Sequence, residues 1–80
     1  MVSYTDLTPV ARPMLTELRD VGPQHREQLQ DALMFDDADY EEALGELTAH
    51  GFVERTDDYV LRATDVGIRV VDTEREEQGD

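Results

Sequence analysis

Residues 35–67 read FDDADYEEALGELTAHGFVERTDDYVLRATDVG, and within them the apolar period changes once. Tyr40, Ala43, Leu44 and Leu47 recur at i, i+3, i+4, i+7, which is one face of a helix. From Phe52 the period is that of strands: FVER, a break at Thr56, Asp57 and Asp58, then YVLRA. Asp36 reads as the N-cap of the helix, placing Phe35 at N′ and Tyr40 at N4, the spacing of a hydrophobic staple. His50 and Gly51 close its far end. Val53 and Leu61 then take the core face of a two-stranded hairpin, with Arg55 and Arg62 more exposed.

Toward the N-terminus, Thr8 and Pro9 have the look of an N-cap and a first helical residue. Pro13, four residues on, lacks a donor and crowds the carbonyl of Pro9. A loose turn over Pro9 to Arg12 is therefore expected, then a helix from Pro13 to about Asp20 burying Met14, Leu15 and Leu18. Gly22 and Pro23 end it. A second helix is expected from Gln24 to Leu33, with Leu29, Ala32 and Leu33 on the buried side and His25, Arg26, Glu27, Gln28 and Gln30 mostly wet. Toward the C-terminus, Thr64 caps a last helix from Asp65 to about Glu76. Ile68 and Val71 face inward there, and Val70 is left for a partner. DTEREEQGD, residues 72–80, reads as a solvated, fraying tail, so that one domain over residues 1–80 has its core at about residues 8–71.

The chain has no cysteine, which excludes disulfides, zinc–thiolate sites and thiol nucleophiles. It has no apolar run of membrane-spanning length and no signal-peptide pattern in MVSYTDLTPVARP, so a cytoplasmic protein without a membrane partner is expected. Twenty Asp and Glu stand against seven Arg and no Lys, a formal net charge of -13 that would strain a small body in dilute buffer. Disorder is disfavoured because the 39% of residues that are apolar fall at helical and strand periods. The acidic, lysine-free surface resembles that of haloarchaeal cytoplasmic proteins. At molar salt the Debye length falls to about 3 Å, and such carboxylates scarcely repel.

No enzyme is expected, since no nucleophile has a base near it in sequence and no glycine loop is of the phosphate-binding kind. No cofactor is expected either. His25 and His50 fall on different helices without ligand spacing. In DDADYEE, a calcium loop starting at Asp36 would put Glu41 where glycine is required, so no metal site is expected.

The whole order, three helices, a short hairpin and a closing helix, resembles the winged helix-turn-helix fold of small archaeal and bacterial transcription regulators. EALGELTAHGFVER, residues 42–55, and YVLRATDVG, residues 59–67, carry the resemblance. In that family the third helix ends in a Leu-x-x-x-Gly-hydrophobic-Val step, here Leu47, Gly51, Phe52 and Val53. Its second strand ends in Leu-x-x-Thr-x-x-Gly, here Leu61, Thr64 and Gly67. The resemblance implies a mostly helical α+β fold, a recognition helix over Asp37 to His50, a wing over Phe52 to Ala63, and a regulator that binds double-stranded DNA as a dimer.

The implied groove-facing positions are Asp39, Glu41, Glu42, Gly45, Glu46 and Ala49, and here the chain departs from the pattern. Phosphates and most base edges need donors, which these acids lack. DNA contacts are accordingly expected from Arg55, Arg62 and Tyr59 of the wing, with Arg26 and Tyr40 as further candidates and Arg12 and Arg19 along the first helix. A saline cell weakens phosphate contacts for any protein, by a log-log slope of about -0.9 per phosphate neutralised. The alternative is an interaction module of the same fold that has lost its DNA surface. It would bind a protein partner or its own copy through the apolar residues of the terminal helices.

Overall fold

The computed structural model describes residues 2–78, in the order of a short 3-10 turn (Tyr4–Asp6), α1 (Ala11–Val21), β1 (Gln24–His25), α2 (Arg26–Leu33), α3 (Asp37–Ala49), β2 (Val53–Asp57), β3 (Val60–Ala63) and α4 (Asp65–Gln78). It is a mostly helical α+β domain with an antiparallel hairpin directly after α3.

Helix α1 begins two residues earlier than the prolines suggest. Its entry is already hydrogen-bonded, the Arg12 N–H donating to the Thr8 carbonyl at 3.1 Å and the Ala11 N–H to the Thr8 hydroxyl at 3.3 Å. Pro13 forfeits a single bond to Pro9 in the first turn, where helix donors commonly lack partners, so the turn forms regardless. Ala11, Met14, Leu15 and Leu18 are buried on this helix, and Gly22, at φ 103, terminates it.

Gln24 and His25 form a strand, not the start of α2 as expected. They pair antiparallel with Leu61 and Val60, giving a three-stranded sheet in the order β1-β3-β2 in place of a lone hairpin. His25 then caps α2: its Nδ1 accepts the Glu27 N–H at 3.2 Å, and the Gln28 side chain accepts the His25 N–H at 3.0 Å. Leu29 is buried and Leu33 half-buried, but Ala32 is exposed, contrary to its expected place in the core.

Helix α3 runs as expected from the Asp36 cap, whose carboxylate accepts the Asp39 N–H at 2.8 Å. Tyr40, Ala43 and Leu47 are buried, while Leu44 and Phe35 are half-buried against the core. The hairpin turn falls at Asp58 and Tyr59, later than expected, because a bulge between Arg55 and Asp57 adds Thr56 to the strand. Val53 and Leu61 face the core, whereas Arg55 and Arg62 are exposed.

Phe52 joins the halves of the molecule. Its N–H donates to the Leu47 carbonyl and its own carbonyl accepts the Thr64 N–H, each at 2.9 Å. Thr64 caps α4 by accepting the Gly67 N–H at 3.2 Å, and its hydroxyl donates to the Gly51 carbonyl at 2.6 Å. On α4, Val71 is buried and Ile68 half-buried as expected, but Val70 is also core, only 7% exposed, and is not left for a partner. The helix continues to Gln78 where a fraying tail is expected; residues 79 and 80 of that tail lie outside the described residues. Ion pairs across to α1 hold it, Arg19 to Asp72 at 2.8 Å and Arg75 to Asp20 at 2.6 Å.

Among the described residues, no helix is long and apolar enough to cross a membrane, and no three His, Asp or Glu side chains converge as a metal donor set.

Candidate functional site

Alternation in β2 and β3 puts Arg55 on the same sheet side as Val53, Leu61 and Ala63, next to α3, and sends Glu54 and Arg62 to the opposite side. The result is a face bounded by the outside of α3 and by the wing. Its centre is an open groove of about 600 Å³, lined by Glu41, Leu44, Gly45, Thr48, Ala49, Arg55 and Leu61. The groove continues past Arg26 and Tyr40 toward Asp58 and Tyr59 at the wing tip.

The acids of α3 do not all share this face. Glu41 lines it and Glu42 is exposed next to it on α3, but Glu46 turns aside to accept the Thr8 N–H at 3.0 Å, fixing the approach to α1. Asp39 is half-buried beside its cap. Gly45, Thr48 and Ala49 complete the exposed side. Thr48 escaped the sequence reading, although it stands four residues after Leu44 and so shares the edge of the groove.

Arg26, on α2, is held where it stands. Its guanidinium lies 4.4 Å from the Tyr40 ring centroid, 3.4 Å from Asp37 and 3.3 Å from Glu41. The Gln30 amide donates to Asp37 at 3.0 Å, and this bond, with Arg26 next, holds the Asp37 carboxyl below the usual carboxylate range. Tyr40 is itself buried, which pushes its phenol upward and leaves no open ring face for a base. On the wing, Arg62 is bonded across the hairpin to Glu54, its register partner. Tyr59 is exposed at the turn, with its ring 5.6 Å from that of His25.

Four of the seven arginines, Arg19, Arg26, Arg62 and Arg75, are thus in intrachain ion pairs. Among the described residues, Arg12, Arg55 and Arg69 have no such partner, and Arg55 is the one that lines the groove. The structure therefore brings together Arg55, Tyr59, Arg26 and Glu41 of the expected site, whereas Arg62 stands with Glu54 on the opposite side of the hairpin.

The helices, the antiparallel hairpin following the third of them and the closing helix make a small α+β domain consistent with a winged-helix-like topology. No family model, curated protein or solved structure matches it.

Proposed function

We propose that this chain is a winged-helix interaction module of a salt-adapted cell, without catalytic chemistry of its own, that binds a protein partner through the face between α3 and the wing. One observation carries the reading: of the two arginines that line this face, Arg26 is already paired with Asp37 and Glu41, so that with Asp58 the three acids outnumber Arg26 and Arg55. A polyanion approaching this face would meet net negative charge, while the mostly apolar groove offers burial. The terminal helices are poorer candidates for a homodimer, since most of their apolar side chains are buried in the core, leaving Val21 and Val66 exposed, and their ion pairs join them to each other.

A DNA-binding transcription regulator is the second reading, favoured by the winged-helix topology and by the exposed, unpaired Arg55 with Tyr59 beyond it on the wing. Exposed ion pairs are worth only about 0–1 kcal/mol, so Arg62 exchanges Glu54 for a phosphate at little cost in this reading.

A photo-crosslinking side chain at the exposed Thr48 separates the two. Irradiation in cells is expected to give a discrete protein adduct. A nucleic-acid adduct, together with saturable binding of duplex DNA whose salt slope drops by about one unit in Arg55→Ala, would reverse the order of the readings.

A further inference from the structure

Gly45 sits inside α3, where glycine is the poorest helix former after proline. Nothing in the fold asks for it. Its φ is not positive, and a Cβ built on it meets no atom within 4 Å. The other described glycines differ: Gly22 and Gly51 hold positive φ, and a Cβ at Gly67 would fall 2.1 Å from the Phe52 carbonyl oxygen. What the missing side chain leaves open is the groove, whose wall Gly45 forms beside Leu44 and Leu61. A glycine that weakens its helix and relieves no internal clash marks close approach by something outside the chain.

We propose that the groove docks a cationic segment of another protein, with the segment's backbone against Gly45 and a small apolar side chain over Leu44 and Leu61. The inference rests on the interaction-module reading and names its partner's chemistry. Charge selects the occupant. Glu41 and Glu42 stand one turn before Gly45, and Glu42 has no cation partner among the described residues. Asp58 lies where the groove runs on toward the wing tip. Against the unpaired Arg55 in the groove wall, Arg or Lys on the segment would meet these carboxylates within a chain of net charge -13, whereas a second copy would bring the same negative charge to them. Addition of a strand at the outer edge of β2 is disfavoured by the bulge and by the exposed Glu54, Arg55 and Asp57.

The test is a ¹⁵N spectral titration of the full chain with three probes: a helical-pattern peptide of Lys, Ala and Leu, the same peptide with Glu for Lys, and a DNA duplex. The Lys peptide is expected to shift the amides of Gly45, Thr48, Ala49 and Arg55 saturably. Gly45→Leu, which extends into the groove from a position where a Cβ meets no atom within 4 Å, weakens this by at least about tenfold while the remaining spectrum holds. Glu42→Gln weakens it too and flattens its salt dependence. If the Glu peptide shifts the groove as strongly, the charge argument is overturned and the interaction-module reading survives. If the duplex alone does so, both fall. Absence of groove shifts with every probe also overturns the proposal.

Discussion

Met34 ends α2 in the left-handed region, at φ 57 and ψ 41, with 90% of its surface exposed. A side chain in that conformation costs about 1–2 kcal/mol, and nothing at this site returns it through burial. Met34→Gly is expected to raise stability by roughly 0.5–1 kcal/mol, after the greater entropy of a free glycine is deducted. A higher urea midpoint at unchanged slope would show it. Gly67 presents the opposite case. Any Cβ there runs into the Phe52 carbonyl, which is fixed by its bond from the Thr64 N–H, and Leu15 closes in at 3.1 Å. Gly67→Ala is expected to destabilise by about 1–3 kcal/mol, the range for overpacking, and a wild-type midpoint would contradict the close approach. The glycine at the end of Leu-x-x-Thr-x-x-Gly was visible in the sequence; its reason, an α4 start pressed on a carbonyl, was not.

The elements depend on one another mainly at two junctions. Thr64 is the first, since one hydroxyl both caps α4 and ties it to the Gly51 carbonyl after α3. Thr64→Val keeps the shape and removes both bonds, so a loss of about 1–2 kcal/mol is expected in chemical denaturation, with Thr64→Ser restoring most of it. A loss no larger than a few tenths would mean that the hydroxyl serves only the solvent. The second junction is β1, whose two residues join the start of α2 to the hairpin. Its short length gave no period to read, and its partner strand is remote in sequence. By contrast, α3 was legible almost to the residue because a cap, a staple position and an apolar stripe agreed within one segment.

For the whole molecule, charge sets the conditions of stability. Two opposing effects follow acidification. The Asp20 carboxyl is held below its usual range chiefly by its hydrogen bonds from Arg75, and the Asp37 carboxyl chiefly by Gln30 and then Arg26. A folded-state value below the unfolded one gives stability at neutral pH that is lost as pH falls through the folded value. Meanwhile, protonation of the many other carboxylates relieves the repulsion of a chain carrying -13. In dilute buffer, stability is expected to rise from neutral pH toward the isoelectric point near 4.2 and then fall. In molar salt the rise disappears because repulsion is already screened, and only the acid loss remains. Thermal melts across pH at two salt concentrations check this, and coincident profiles would remove the case for salt adaptation. What the sequence alone determined was local: the helix and strand periods, the Asp36, Thr64 and Gly22 boundaries, the core stripe of α3 and the excess of acid. Tertiary structure alone decided which groups meet, placing Val70 inside, turning Glu46 to the Thr8 N–H, pairing Arg26 and Arg62 with acids, and opening a groove at Gly45. The reason is one of range. A period is fixed by neighbours within a few residues, but the partner of a charge or the room beside a glycine depends on segments that only folding brings together.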